Sequence, residues 1–329
     1  MFLRNLLAKE KNTFPGFLAI LIWSFSPLLV IGLNRIPIFE LLFFEFLFSF
    51  FTFSFRYFIA KKKETFLHCK KKDLFVASLT LLINQTFLYF AFQYSSSPKV
   101  FLTSYLWPNL LIFFSCFLPG EKFSFSYFAS SLIALYTTYK LLFLNGDCTV
   151  SHNELIACFL AFFSSISWAS YSLYIKYQNS SSASQYIPYA SGLNAIASLF
   201  IHLAFEKFTL PNALEITKIS ILGIFQMGLA FYLWERSLKK GSIKLLGLAS
   251  YSIPILSNIV LVLFKKSPFD ANLFIAGIVI SITPTIPLIK NIFVKKHNLL
   301  LSKIKTKRKL AGENINIQKK RKASFTKTA

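Results

Sequence analysis

The chain has 329 residues, of which 54% are hydrophobic and 15% charged, with a mean hydropathy of +0.54. Apolar runs of roughly 18 or more residues recur along it, which excludes an ordinary soluble domain and makes it an all-α polytopic membrane protein. The net charge of +23 lies in short loops and a tail beside apolar runs, so topology and anionic lipid account for it and a nucleic-acid partner does not.

In chain order, Arg4, Lys9 and Lys11 precede an apolar run from Phe14 to Leu33. That run is too long for a signal-peptide core and no A-x-A site follows, so it reads as a retained span. Ten spans are predicted at 14–33, 37–58, 74–94, 98–118, 124–144, 154–176, 186–206, 216–238, 243–264 and 269–290. With the N-terminus (1–13) in the cytoplasm, 29 of the 36 Lys and Arg fall on the inner side, and 16 against 7 remain there without the tail. The positive-inside rule then places both termini in the cytoplasm.

The loop 145–153 holds no Lys or Arg and separates two sets of five spans, 14–144 and 154–290. An odd number per set makes the sets oppositely oriented, as in an inverted repeat. Ser104-Tyr105-Leu106-Trp107-Pro108 in the fourth span answers Ser250-Tyr251-Ser252-Ile253-Pro254 in the ninth. Weaker echoes join the first span to the sixth and the third to the eighth. Pro108 and Pro254 each free a carbonyl four residues back, marking helix breaks that protein or a wet cavity must satisfy. The tail 291–329 is basic, with Glu313 as its one acid, and is expected on anionic headgroups.

Helical spacing collects polar side chains on several faces. Tyr105, Pro108 and Asn109 share one stripe, and Tyr251, Pro254 and Asn258 another; Gln85 and Tyr89 lie on the third span and Gln226 on the eighth. These faces are expected around a cavity, with Trp23, Trp107 and Trp168 among its walls. The seventh span lines up Ser191, Asn194, Ser198 and His202, read as helix contacts. Glu40 is expected at the membrane interface. Glu45 and Glu235 are candidates for proton or ammonium contact, with Glu235 and Arg236 both near enough to a span end to snorkel. Cys69, Cys116, Cys148 and Cys158 lack metal or disulfide spacing and read as free thiols. No catalytic signature, metal site or cofactor motif is present.

The run Ser104 to Leu111, with Trp107-Pro108 at its centre, and the run Trp234-Glu235 through Lys240-Gly241 resemble the EamA-like ten-span transporters of the drug/metabolite transporter superfamily. The resemblance is to the branch holding aromatic amino-acid exporters and S-adenosylmethionine/S-adenosylhomocysteine transporters, and it covers roughly 14–290. It implies a basket of two inverted five-helix halves around a central cavity in the bacterial cytoplasmic membrane. Spans one, three, four, six, eight and nine would line that cavity, and alternating access would proceed without ATP. Relatives carry arginine early in the second span, where this chain has Glu45. The expected activity is exchange of S-adenosylmethionine for S-adenosylhomocysteine. The alternatives are export of aromatic or other neutral amino acids, and a non-transporting membrane scaffold. Oligomeric state is left open by the sequence.

Overall fold

The structure, a computed structural model, describes residues 2–60, 70–95, 103–115, 151–177, 186–241 and 243–266, with isolated positions elsewhere. The predicted fifth and tenth spans, apart from such isolated positions, residues 145–150 of the loop 145–153, and the tail 291–329 lie outside these. The chain divides into two units, Met1–Pro284 and Thr285–Ala329, and everything below concerns the first.

Among the described residues there are helices and no strands. They are α1 (Phe2–Ser24), α2 (Ser26–Val30), α3 (Ile38–Ala60), α4 (Lys71–Tyr94), α5 (Trp107–Ser115), α6 (His152–Tyr177), α7 (Tyr186–Phe205), α8 (Ala213–Ile221), a π-helical segment (Leu222–Ala230), α9 (Phe231–Lys240), α10 (Ile243–Ser250) and α11 (Ser252–Leu263). Six stretches among the described residues are long and apolar enough to cross a membrane: Asn12–Val30, Lys71–Tyr94, His152–Tyr177, Tyr186–Phe205, Ala213–Lys240 and Leu245–Leu263. Large apolar side chains such as Phe14, Phe75, Phe200, Leu203 and Leu263 stand exposed on the outside of the bundle. Lipid tolerates that surface and water does not.

Local signals start the helices. Asn212 and Glu215 form a capping box at α8, with Asn212 Oδ1 2.9 Å from the Glu215 amide and Glu215 Oε2 2.8 Å from the Asn212 amide. The Ser151 hydroxyl accepts from the Glu154 amide at 3.2 Å at the start of α6. The start of α3 is capped by a residue from another element: the Glu206 carboxylate accepts from the Phe39 amide at 3.1 Å and the Glu40 amide at 3.2 Å. A carboxylate there offsets orphan amides and the positive end of the helix dipole.

Short polar side chains join the helices. The Ser49 and Ser191 hydroxyls lie 3.0 Å apart between α3 and α7. Between α4 and α7, Asn194 Nδ2 donates to the Ser78 carbonyl at 3.1 Å. Between α4 and α6, Asn84 Nδ2 donates to the Ser164 hydroxyl at 3.0 Å, and that hydroxyl donates to the Asn84 carbonyl at 3.0 Å. The Ser191 and Asn194 positions of the seventh-span stripe are thus engaged with neighbouring helices.

The π segment packs against α3 through Gly223, where an added Cβ would stand 2.6 Å from the Glu45 carbonyl oxygen and 2.6 Å from Phe48 Cβ. The wider π turn and the absent side chain together bring this backbone onto α3.

Candidate functional site

Each pentad coincides with an interruption of helix. The helical turn at Thr103 and Ser104 gives way at Tyr105 and Leu106 before α5 begins at Trp107. In the second copy α10 ends at Ser250, Tyr251 forms a turn, and α11 carries Pro254 in its first turn. Pro108 is buried and Pro254 half-buried. The carbonyl that Pro108 leaves without an amide is that of Ser104. It accepts from the Ser165 hydroxyl of α6 at 2.9 Å, and the same hydroxyl reaches the Thr103 carbonyl at 3.1 Å. A side chain therefore satisfies this break. Ser165→Ala is expected to cost about 1–3 kcal/mol by removing the hydroxyl that donates to these two carbonyls. Ser165→Thr, which keeps the hydroxyl, should cost less; thermal unfolding in detergent checks both.

The breaks place Trp107 at the centre of the bundle. There Trp23 of α1, Trp107 of α5, Trp168 of α6 and Trp234 of α9 meet. Their ring centroids are separated by 6.3 Å (Trp23–Trp107), 5.4 Å (Trp23–Trp168), 5.3 Å (Trp23–Trp234), 6.2 Å (Trp107–Trp168), 5.5 Å (Trp107–Trp234) and 6.4 Å (Trp168–Trp234). Most pairs are edge-to-face, the arrangement that aligns positive ring edges with negative faces. Phe231 packs 4.8 Å from Trp168, and Tyr171 stacks on Trp168 at 5.5 Å. Trp234 Nε1 donates to the Ser172 hydroxyl at 3.1 Å, which satisfies its buried N–H. Trp23, Trp107 and Trp168, read from the sequence as cavity walls, meet one another and Trp234 in the structure.

The other predicted site residues fall into pairs and orphans. The Tyr251 hydroxyl donates to Asn109 Oδ1, joining the two pentad stripes, and the Tyr105 hydroxyl lies 3.5 Å from Ser257 Oγ. Gln85, Asn109, Gln226 and Asn258 are all buried, and among the described residues Gln85 Oε1, Asn109 Nδ2, Gln226 Oε1 and Asn258 Nδ2 have no hydrogen-bond partner. Buried amides are normally satisfied, so these four are candidates for contact with a polar ligand group. Gln226 also edges a 290 Å³ groove with Ile22, Phe25, Leu29 and Phe225.

Four acids are buried among the described residues: Glu215, which caps α8 and pairs with Arg35, and Glu40, Glu45 and Glu235. The Tyr89 hydroxyl donates to Glu45 Oε1 at 2.6 Å, and the Tyr171 hydroxyl to Glu235 Oε1. Glu235 points inward and is fully buried, while its neighbour Arg236 is exposed; of the two, Arg236 alone reaches out. Glu40, expected at the interface, is only 1% exposed. The Thr209 amide donates to its Oε2 at 2.9 Å, and His202 Nε2 lies 3.8 Å away, so loop backbone and a neighbouring helix take the place of water. His202 Nδ1 is 2.9 Å from Glu206. Tyr171 stands at helical spacing with Ser164 and Trp168, and Trp234 with Gln226 and Ala230, but such spacing does not name the residue across the interface. Among the described residues no group of His, Cys, Asp and Glu could hold a metal ion, and Cys158 is buried and outside any disulfide.

A second cavity, of 550 Å³, opens at the end of the bundle where α3 begins and α4 and α7 finish. Arg35, Phe39, Phe90, Gln93, Glu206 and Lys207 line it. Arg35 is paired with Glu215, and that carboxylate holds the guanidinium more firmly charged than usual, its pKa raised above the ordinary arginine value.

Residues 155–286 match the EamA-like transporter family. The chain is 28% identical over 258 residues to the aromatic amino acid exporter YddG of Ancylobacter novellus, covering 78% of this chain and 89% of that one. It is 24% identical over 202 residues to the protein of the same name from Escherichia coli K12, covering 55% of this chain and 63% of that one. A solved crystal structure 26% identical in sequence superposes with a TM-score of 0.72 over 84% of this chain and 97% of the other.

Proposed function

We propose, from the premise that residues 155–286 are a domain of the EamA-like transporter family, that the chain exports aromatic and other neutral amino acids across the bacterial cytoplasmic membrane. The observation that carries this reading is the tryptophan cluster where α1, α5, α6 and α9 meet. A planar amino-acid side chain can replace a facing indole at little energetic loss, because it presents the same ring faces and edges. The orphaned amides of Gln85, Asn109, Gln226 and Asn258 supply polar contacts for the zwitterionic end. Tyr89, Tyr105 and Tyr251, with the breaks at Pro108 and Pro254, complete the site.

In this reading the ten predicted spans form two inverted halves, the matched domain lies within the second, and both termini are cytoplasmic. Alternating access then consists in parting the tryptophans toward one side and then the other. The relatives' names support the amino-acid alternative; the exchange of S-adenosylmethionine gains nothing from them. The Tyr-Leu-Trp-Pro run belongs to both branches and does not separate them. Glu45, the deep acid read as a proton or ammonium contact, is engaged by Tyr89.

Purified protein in vesicles loaded with unlabelled phenylalanine should take up labelled phenylalanine or tryptophan by counterflow. Labelled S-adenosylmethionine should stay outside. No amino-acid uptake above protein-free vesicles, with insertion confirmed, would overturn the proposal.

A further inference from the structure

Among the described residues Glu45 and Glu235 are the two acids that the fold buries completely, each 0% exposed, and they are treated alike. Each accepts one tyrosine hydroxyl on Oε1, and among the described residues each leaves Oε2 without a partner. Tyr89, from α4, is the titratable group that touches Glu45; the π segment packed on the same turn brings Gly223, which has none. Tyr171, from α6, touches Glu235. Lys239 faces Glu235 from one turn further along α9, and Asp73 of α4 lies beyond Lys239. The α1 residues at this level, Gly16 and Thr13, bring no charge.

An ionised carboxylate with one hydrogen bond is costly in such surroundings, and a carboxylic acid is not. Loss and gain of a proton is therefore the change these groups can undergo without rebuilding their neighbourhood.

Their positions along the bundle differ. The α3 helix runs beside the π segment and α9 in the same direction: Glu45 abuts Gly223, Ser49 nears Gly228, and Phe53 pairs with Tyr232 at 5.9 Å. Glu45 thus sits level with Gly223, roughly 15 Å before Trp234 at helical rise. Its partner Tyr89 directly precedes Phe90, a wall of the 550 Å³ cavity. Glu235 follows Trp234, and Tyr171 lies one turn beyond Trp168 toward the opposite end, where Lys176 Nζ donates to the Gly241 carbonyl at 3.2 Å. One buried acid lies on each side of the aromatic cluster.

We infer that Glu45 and Glu235 are two proton-binding sites, one for each side of the tryptophan barrier, and that proton passage between them is coupled to export. This rests on the amino-acid export reading and adds a second ligand, the proton, to it. The substrate site proper comprises the aromatic and amide groups, so neutralising either acid leaves exchange at equal pH in place.

The test uses full-length protein in vesicles with a trapped pH dye and labelled tryptophan. In the wild type, a pH gradient should drive tryptophan against its own gradient, and tryptophan movement should shift the trapped dye. Glu45→Gln and Glu235→Gln should each lower gradient-driven accumulation about tenfold or more while counterflow at equal pH continues at a similar rate. Tryptophan counterflow by the wild type with no dye shift and no response to the gradient overturns the inference and leaves the export reading standing. Absence of counterflow in the wild type defeats the export reading instead. Either Gln variant keeping the full gradient response overturns the assignment of that acid. A variant that folds but loses counterflow as well places its acid in the substrate path and also overturns the assignment.

Discussion

Trp168→Ala should lower phenylalanine and tryptophan counterflow about tenfold or more, whereas Trp168→Phe should keep a substantial part of it. Trp168 contacts every other ring in the cluster, at 5.4 Å from Trp23, 6.2 Å from Trp107, 6.4 Å from Trp234 and 4.8 Å from Phe231, and it stacks on Tyr171. Alanine removes all of these contacts together. Each aromatic pair is worth about 0.5–1.5 kcal/mol beyond its buried area, and 1.4 kcal/mol is a factor of ten in binding. Phenylalanine restores a ring without the indole width. Counterflow should be read beside the melting temperature of the same samples, since a buried Trp→Ala change also costs about 3–5 kcal/mol of stability. A Trp168→Ala protein that melts lower yet exchanges phenylalanine at the wild-type rate would remove the cluster from the substrate path.

The second large effect concerns assembly. Gly223→Ala should lower the melting temperature markedly, by the equivalent of about 1–3 kcal/mol. Its new Cβ would stand 2.6 Å from the Glu45 carbonyl oxygen and 3.2 Å from Glu45 Cα, and backbone atoms cannot rotate away. The π segment and α3 would have to separate. Gly16→Ala is the instructive contrast. Its Cβ meets Leu246 Cδ2 more closely still, but that atom ends a flexible side chain. Its melting temperature should fall less than that of Gly223→Ala. The reverse order would mean that the contact of α1 with α10 is tighter than that of the π segment with α3.

Much of the architecture can be read from residues alone, for a simple physical reason. Hydrocarbon demands long apolar runs with internal backbone bonding, so the described helices fall close to the apolar runs. The prolines of the two pentads carry an equally local signal, a missing amide. The partners across interfaces do not. Tyr171 appears in the sequence as one member of a polar stripe; that it reaches Glu235, 64 residues away, depends on how α6 and α9 are rotated against each other. The same holds for the tryptophans. Helical spacing assigns each to a face, and only packing shows that four faces converge. Glu40 looked interfacial because it lies near a span end. It is buried because the loop at Thr209 folds over it, and no periodicity encodes that. The nine-residue π segment has no sequence signal beyond its two glycines, Gly223 and Gly228.

The chain has four tryptophans, and all of them lie in the cluster. Its intrinsic indole fluorescence therefore reports on the proposed barrier and on nothing else in the protein. Reconstituted protein, excited where phenylalanine and tyrosine absorb little, should show a saturable change in emission on addition of phenylalanine and none on addition of glutamate. Emission that stays constant while the same vesicles take up phenylalanine would contradict the claim that the tryptophans part to let substrate through.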